Sequence, residues 1–373
     1  MKRGYLLLVF ALVVACKANE KTPKTREFHS DVSFYVGSYT GKESKGIYKY
    51  ALQKEGVLKE MGLVAKTLNP SFLTKTTNKK TLLAVNEMNE NGTGSISSYS
   101  IEKDSLRFIS RRKTGGGHPC FVAVSESGFV IAANYTGGNI GLLKVDNNGE
   151  LSELLDVQQH FGKGTTERQQ EPHAHSTWFH PTKRNEVISV DLGTNQLWFS
   201  AIDTNNNEFV FSNKQTLKMA NGAGPRHLSF HPNNKWIYVL NELNNTVSLL
   251  TTKNGNYVVG SSMSTLPEDF KAYSKSADIH ISNDGKFLYT SNRGHESIAV
   301  FEVNLQNGSL KVVEYQPVYG KTPRNFSLSP DNNFLLVANQ DSNSIVCFKR
   351  NFSSGKLQFV SKIYAPKPVC ILF

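Results

Sequence analysis

A hairpin pattern that recurs six times constrains the fold of this chain more than any other feature of its sequence. In the fullest copy, GAGPRHLSFHPNNKWIYVLNEL from Gly222 to Leu243, an apolar strand, a polar turn and a second apolar strand lead to Asn. Equivalent positions in the six copies are 47 to 55 residues apart, at Ser71, Cys120, His175, Arg226, Ala277 and Arg324. More strand pairs lie between the copies. A period near 50 with four short strands per unit predicts a β-propeller.

A seventh copy is split between the two ends of the chain. Residues 368–373 supply only the first strand of a copy, whereas SFYVGS, Ser33–Ser38, ends like a second strand and leads into another, Gly46–Leu52. Pairing of the two ends would close a ring and leave no long strand edge exposed. We therefore predict an all-β fold, a seven-bladed β-propeller over residues 31–373, rather than a solenoid or two separate β domains.

The first 30 residues have the pattern of an export segment. MKRGYLLLVFALVVAC has a basic start, an apolar run too short to span a bilayer comfortably, and small residues before Cys16. This predicts a signal peptide over residues 1–16 that ends in a bacterial lipobox, with Cys16 as the lipidation site and residues 17–30 as a tether. The expected location is the cell envelope, periplasm or outer membrane. An uncleaved anchor is the alternative, and a cytoplasmic protein is expected if the segment is not a signal.

Charge and cysteine usage narrow the possible partners. The net charge is +11, but residues 1–27 contribute four of these charges, and no cluster of Lys and Arg stands elsewhere, so no nucleic-acid partner is expected. The spacing of Cys120, Cys347 and Cys370 is not that of a metal site. His173 and His175 have no third ligand at a telling position, so neither metal nor cofactor is predicted. We expect a monomer that meets the membrane only through its lipid anchor.

Candidate functional residues stand at one end of the predicted hairpins. In antiparallel hairpins, the start of the first strand and the end of the second lie at the same edge. One mouth of the central channel therefore collects side chains from successive blades. They are Glu87 from blade one, Tyr135 from blade two, His175 from blade three, Arg226 and Glu242 from blade four, Arg293 from blade five and Arg324 from blade six.

Several motifs resemble those of the lactonase propeller family, which contains bacterial 6-phosphogluconolactonases and fungal carboxy-muconate cyclases. They are RQQEPHAHS (168–176), GAGPRHLSFHP, VLNE and SNRGHESIAVF, and the resemblance extends over residues 33–373. It implies hydrolysis of a sugar lactone, such as 6-phosphoglucono-1,5-lactone to 6-phosphogluconate. By position in these motifs, the catalytic residues are His175, Arg226, Glu242 and Arg293. Residues assigned to substrate binding, from the motifs or from their place at the same mouth, are His173, Arg168, Arg324, Asn241 and Asn292.

These residue types suit the hydrolysis of a cyclic ester. Glu242 or His175 could take a proton from the attacking water, and an imidazole can protonate the departing ring oxygen near neutral pH. Arg226 or Arg293 could stabilise the oxyanion, and an Arg fork suits a phosphate or carboxylate. No nucleophile elbow is visible in the sequence, so a covalent serine mechanism is not expected.

Two other functions stay open at this point. The family's phosphorylated lactone is a cytosolic compound, whereas this chain has the pattern of an export segment. Either that segment is not a signal, or the substrate is a related unphosphorylated aldonolactone outside the cytoplasm. A surface-anchored, non-catalytic propeller that binds carbohydrate or protein is one alternative, since propellers host many unrelated functions. A muconate-type lactonizing enzyme is the other.

Overall fold

A computed structural model describes Met1 and residues 31–373, with the backbone alone for residues 211–215. The predicted signal peptide, tether and Cys16 lie outside the described residues. Seven four-stranded antiparallel sheets follow one another around a ring. The prediction of an all-β, seven-bladed β-propeller is confirmed.

Each blade has four strands, which follow one another from the channel outwards. Blade one has β4 (Leu73–Lys75), β5 (Thr81–Glu90), β6 (Thr93–Ile101) and β7 (Leu106–Lys113); blade two has β8 (Pro119–Val124), β9 (Phe129–Asn134), β10 (Asn139–Lys144) and β11 (Asp156–Gln159). Blade three has β12 (Ala174–Phe179), β13 (Glu186–Asp191), β14 (Gln196–Asp203) and β15 (Glu208–Lys218); blade four has β16 (Pro225–Phe230), β17 (Ile237–Asn241), β18 (Thr246–Lys253) and β19 (Asn256–Ser264). Blade five has β20 (Lys275–Ile281), β21 (Phe287–Arg293), β22 (Ser297–Val303) and β23 (Leu310–Pro317); blade six has β24 (Pro323–Leu328), β25 (Phe334–Asn339), β26 (Ser344–Arg350) and β27 (Leu357–Tyr364). Blade seven has β28 (Pro368–Leu372), β1 (Val32–Ser38), β2 (Gly46–Leu52) and β3 (Leu58–Lys66). Two 3₁₀ turns span Lys54–Gly56 and Glu167–Gln169. Across the described residues, no helix has the length and apolar character needed to cross a membrane.

Blade seven closes the ring as the sequence predicted. The C-terminal strand β28 pairs antiparallel with β1, with Val36 opposite Ile371 and Gly37 opposite Cys370. The outer strands β2 and β3 then continue the sheet from β1. The ring is therefore held together by hydrogen bonds between strands from the two ends of the chain.

The core consists of apolar layers between neighbouring blades. Strand β17 shows the arrangement, because its successive side chains point to opposite faces of the sheet. Ile237 and Val239 pack in the cluster shared with blade three, while Tyr238 and Leu240 pack in the cluster shared with blade five. Both faces of the strand are buried, which explains why the second strand of each hairpin reads as a continuous apolar run.

The Asn that ends most of these hairpins ties the blades together. The side-chain amides of Asn86, Asn134, Asn292 and Asn339 donate to carbonyls in the segment that leads in from the preceding blade, at 2.7, 2.9, 2.7 and 3.2 Å. These amides are fully buried or nearly so. In these four blades the recurring Asn therefore has a structural role, because it supplies a buried hydrogen-bond donor to the connection between blades.

A β-bulge near the start of the inner strand is the second feature that most blades have in common. In blades two, three, four, six and seven, one inner-strand residue has no partner on the neighbouring strand. The skipped residues are Cys120, His175, Arg226, Arg324 and Val369. In blade five, Ala277 and Asp278 lie in the corresponding irregularity. A bulge redirects a side chain without breaking the rest of the sheet, so this position presents functional groups to the channel.

Candidate active site

The carboxylate of Glu242 is the centre of a cluster at one channel mouth. Its Oε2 lies 3.1 Å from Arg226 Nε, 2.9 Å from Arg293 Nη2 and 3.9 Å from His175 Nε2. Its Oε1 lies 3.5 Å from Arg168 Nη2. The structure therefore brings the four residues predicted to be catalytic into one group, together with Arg168.

The local backbone fixes the position of Glu242. The residue follows β17, and its amide donates to the carbonyl of Gly224 at 2.7 Å. Gly224 has a φ of +62°, and a Cβ there would come within 2.4 Å of the Leu243 side chain. Glycine is therefore required for the close approach of the two chain segments that carry Arg226 and Glu242.

Ion pairing keeps Glu242 ionised although it is buried. Burial alone would raise the pKa of this carboxyl, but the guanidinium groups of Arg293, Arg226 and Arg168 lower it from 4.5 to about 2. A carboxylate with so low a pKa is a weak proton acceptor. Its evident physical role is to hold the guanidinium groups in place.

Arg226 stays charged in spite of its environment. Burial, with Arg293 and Arg324 nearby, lowers its pKa to about 10, which leaves the guanidinium protonated at neutral pH. Arg293 is held from the other side, because its Nη2 also donates to the carbonyl of Ser276 at 2.9 Å. Two fixed positive groups therefore share one carboxylate oxygen.

His175 is the neutral member of the group. Burial, followed by the charges of Arg226, His227 and Arg324, lowers its pKa well below 6.5. Its Nδ1 lies 3.6 Å from the Sγ of Cys120, and the same thiol lies 3.3 Å from the His175 carbonyl oxygen. The Nε2 is the ring nitrogen on the side of Glu242 and the arginines, so it can exchange a proton there.

A long connection between blades two and three supplies Arg168 and His173. The buried Gln169 anchors this connection, because its side-chain amide donates to the Leu192 carbonyl at 2.8 Å. The ring of His173 stacks on Tyr135, with centroids 4.4 Å apart and planes 3° from parallel. The Tyr135 hydroxyl accepts a hydrogen bond from Arg168 at 3.0 Å. Arg168 is itself exposed, so its guanidinium can meet a ligand from solvent.

The far side of the mouth carries a second hydrogen-bonded group. Arg324 Nη2 donates to the Tyr39 hydroxyl at 2.9 Å, and this hydroxyl donates to Glu87 Oε2 at 2.8 Å. Burial would lower the pKa of Arg324, but Tyr39 and Glu87 raise it above its usual range. Tyr39 was not predicted from the sequence. It follows β1 as Glu242 follows β17, but blade seven has Ser38 in place of the recurring Asn, which hid the repeat position.

Two residues predicted to bind substrate have side chains that hydrogen-bond to the propeller itself. The side-chain amide of Asn241 donates to Thr246 Oγ1 at 2.9 Å and to Ser248 Oγ at 3.0 Å, inside blade four. Asn292 donates to the carbonyl of Thr265, in the connection between blades four and five. Both side chains are buried. The side-chain amides of Asn241 and Asn292 therefore take part in the hydrogen bonding of the repeat, and their assignment to substrate binding stays a prediction.

The mouth has a positive charge balance. The guanidinium groups of Arg168, Arg226, Arg293 and Arg324 number four, against the two carboxylates of Glu87 and Glu242, which leaves two positive charges. A narrow cavity in the channel below is lined in part by Arg226, Arg324, Glu87 and Cys120. A larger depression of about 680 Å³ lies at the opposite end of blade five, against Lys286 and Glu302, away from this cluster. Among the described residues, no group of three or more His, Cys, Asp or Glu side chains is arranged to hold a metal ion.

Comparison with known proteins gives one consistent result. Residues 33–373 match the profile of a family described as lactonase, seven-bladed beta-propeller. The chain is 38% identical to a 6-phosphogluconolactonase of Bacillus subtilis over 298 residues, 78% of this chain and 83% of that protein. It is 36% identical to a 6-phosphogluconolactonase of Formosa agariphila over 309 residues, 79% and 85% of the two chains. The solved structure of the periplasmic gluconolactonase of Pseudomonas aeruginosa superposes with a TM-score of 0.86 at 28% identity, over 92% of this chain and 98% of that one.

Proposed function

This chain belongs to the seven-bladed β-propeller lactonase family, and from that premise we propose that it hydrolyses the ring ester of a sugar lactone. The observation that carries the proposal is the convergence of His175, Glu242 and three guanidinium groups at one channel mouth. Ester hydrolysis needs a proton acceptor, fixed positive charge where the oxyanion develops, and a proton donor for the leaving oxygen. The cluster contains each of these groups.

His175 is the residue we assign to proton transfer. Both oxygens of Glu242 lie against guanidinium groups, whereas Nε2 of His175 makes no hydrogen bond to protein within the described residues and is the acceptor left for a water proton. As water attacks the lactone carbonyl, its oxygen bonds to the carbonyl carbon and its proton passes to Nε2 of His175. Collapse of the tetrahedral intermediate breaks the ring carbon–oxygen bond, and the same proton passes to the ring oxygen, which leaves as a hydroxyl.

Arg226 and Arg293 are the groups we assign to oxyanion stabilisation. Arg226 is buried, the side chain of Arg293 is only 10% exposed, and Glu242 fixes both, so they need little reorganisation when negative charge develops on the carbonyl oxygen. In this scheme Glu242 acts through the two arginines. A negatively charged substrate would also offset the arginine charges around His175 and raise the pKa of its imidazole, which makes it a better base once the substrate is bound.

An anionic lactone fits the charge of the mouth best. Two excess positive charges favour a phosphate or carboxylate on the substrate, and Arg168 and Arg324 stand on either side of the central cluster to receive it. Two relatives are named 6-phosphogluconolactonase and a third is named gluconolactonase. Both the phosphorylated and the plain gluconolactone therefore belong in the first assay.

The test is base consumption at constant pH, because hydrolysis releases an acid. Wild type should consume base with δ-gluconolactone, its 6-phosphate, or both. Arg226→Met should lower kcat/KM by about 10²–10³-fold, the usual effect of losing an oxyanion donor. Hydrolysis at wild-type rates in the His175→Asn, Arg226→Met double variant would contradict the assigned site. Turnover of neither sugar lactone nor a carboxy-muconate, with sugar binding retained, would favour the non-catalytic propeller.

We further propose that the enzyme works in the cell envelope, attached through lipidated Cys16. The support is the sequence pattern of residues 1–16 and the similarity to the periplasmic gluconolactonase of Pseudomonas aeruginosa. Cells grown with labelled fatty acid should label wild type but not Cys16→Ala. Equal labelling of the two proteins would contradict the lipoprotein assignment.

A further inference from the structure

The guanidinium of Arg226 is held on two of its three nitrogens. Its Nε donates to Glu242 at 3.1 Å, and its Nη1 meets His227 Nε2 at 3.3 Å and the carbonyl of Ala277. Within the described chain, Nη2 makes no hydrogen bond to protein, and Arg226 lines the cavity in the channel. The two N–H groups of Nη2 are therefore the ones left for a ligand.

This arrangement works only if His227 presents a lone pair to Arg226. Arginine nitrogens only donate, so Nε2 of His227 must accept, and the ring proton must be on Nδ1. A proton on Nε2 would set two donors against each other at 3.3 Å. The guanidinium would then have to turn away from both His227 and Glu242.

Asp278 is the group that places this proton. Its Oδ1 lies 2.8 Å from Nδ1 of His227, so an ionised carboxylate accepts the hydrogen bond that selects the required tautomer. Burial would raise the pKa of Asp278, but His280 and His227 hold it well below its usual range, so the group is an anion at neutral pH. Burial, with Arg226 next to it, lowers the pKa of His227 to about 4, so the ring is neutral.

The carboxylate of Asp278 is itself immobilised between blades five and six. Its Oδ2 accepts from Asn325 Nδ2 at 2.6 Å and lies 3.1 Å from His280 Nε2. The amide of Ile279 donates to Oδ1 at 3.0 Å. An apolar residue would fill this space without the cost of burying a charge, so the ionised carboxylate points to a role beyond packing.

We propose that Asp278 is a positioning residue for lactone hydrolysis, holding His227 in the tautomer that keeps Nη2 of Arg226 directed at the substrate. The inference rests on the proposed function for its kinetic consequence. The hydrogen-bond arrangement itself can be tested without any substrate. Asp278 touches neither the substrate nor the reacting atoms, and its effect passes through His227 and Arg226.

The first experiment compares Asp278→Asn with His280→Gln. An Asn amide can donate to Nδ1, which moves the ring proton to Nε2 and turns it against Arg226. We expect kcat to fall about 10²-fold with KM changed much less, since an oxyanion contact acts mainly in the transition state. His280→Gln removes a different partner of Asp278 and leaves the His227 contact, so its kcat should stay within about threefold of wild type. An unchanged kcat in a folded Asp278→Asn protein would overturn the proposal.

The second experiment reads the tautomer directly by nitrogen-15 NMR of the histidine rings, so it stands even if Asp278→Asn fails to fold. In wild type, His227 should carry its proton on Nδ1. A proton on Nε2 in wild type would overturn the proposal, whatever the enzyme hydrolyses. Absence of lactonase activity in wild type would instead contradict the proposed function and leave this result intact.

A double-mutant cycle shows whether the effect passes through His227. In His227→Gln, the amide oxygen can replace Nε2 as the acceptor for Arg226, and no tautomer remains to be selected. Asp278→Asn should then cost less than about threefold in kcat, against about 10²-fold in the wild-type background. Equal losses in both backgrounds would overturn the proposal, because they would show that the carboxylate acts by another route.

Discussion

Replacing Glu242 by Gln should weaken both folding and catalysis, because the change removes one charge from a buried cluster and leaves the opposite charges in place. Glu242→Gln hardly alters volume, so packing is not the cause. Arg226 and Arg293 would lose the anion that holds them. Removing one partner of a buried ion pair leaves the other charges without compensation, which is strongly destabilising.

The pKa of Glu242 sets the size and the pH range of the loss. A fall from 4.5 to about 2, at about 1.4 kcal/mol per pH unit, corresponds to on the order of 3 kcal/mol of folding free energy at pH 7. Because the folded-state pKa is the lower one, this contribution is complete above about pH 5 and disappears as pH falls towards 2. By pH 3 roughly half of it remains. Loss of the full contribution should lower the melting temperature of a propeller of this length by roughly 4 °C.

The assay is a melting curve at pH 7, 5, 4 and 3, beside kcat/KM for δ-gluconolactone and its 6-phosphate. Wild type and Glu242→Gln should differ most at pH 7, and the difference should shrink below pH 5. Activity should fall about 10²–10³-fold, as for a lost oxyanion donor. Glu186→Gln is the matched control, since Glu186 forms an exposed pair with Lys183 and should matter little. Equal melting temperatures for Glu242→Gln and wild type at every pH, or full activity, would refute the reasoning.

Three further predictions concern ring closure, the substrate phosphate and the repeat. Deleting residues 368–373 removes β28 and exposes the edge of β1, so the product should be insoluble; a soluble product with an unchanged melting curve would contradict this. Arg324→Met should reduce kcat/KM for the 6-phosphate at least about tenfold more than for plain gluconolactone, if Arg324 binds the phosphate; equal losses would place the phosphate elsewhere. Asn292→Ala should lower stability by about 1–3 kcal/mol, the cost of an unsatisfied buried carbonyl, with KM unchanged in the folded enzyme; a large rise in KM would instead support the assignment of Asn292 to substrate binding.

Ring closure and the central cluster could be predicted from the sequence because both follow from the repeat. A recurring hairpin fixes which residue ends lie at one edge, so His175, Arg226, Glu242 and Arg293 could be placed together without coordinates. The two incomplete ends, 33–38 and 368–373, could only complete each other. These are consequences of topology, and they require no knowledge of side-chain direction.

The directions of individual side chains could not be predicted from the sequence. Asn241 and Glu242 are adjacent, and the sequence alone assigns both to the mouth, yet one side chain enters the blade and the other enters the pocket. The bulge at Arg226 could not be predicted either, because the sequence does not show which residue lacks a partner on the next strand. The repeat interval places His227 and Asp278, 51 residues apart, on neighbouring inner strands, but it does not show that their side chains meet.

The bulge also bears on how such an enzyme could acquire a new substrate. A residue without a partner on the next strand can be exchanged without disturbing the strand pairing around it, and the ring offers this position blade after blade. The present occupants already include a thiol, an imidazole, guanidinium groups and, at Val369, an aliphatic side chain. A single substitution there would introduce new chemistry at the channel while the blade remained intact. Divergence of specificity in this architecture can therefore begin at one position in a blade without rebuilding its sheet.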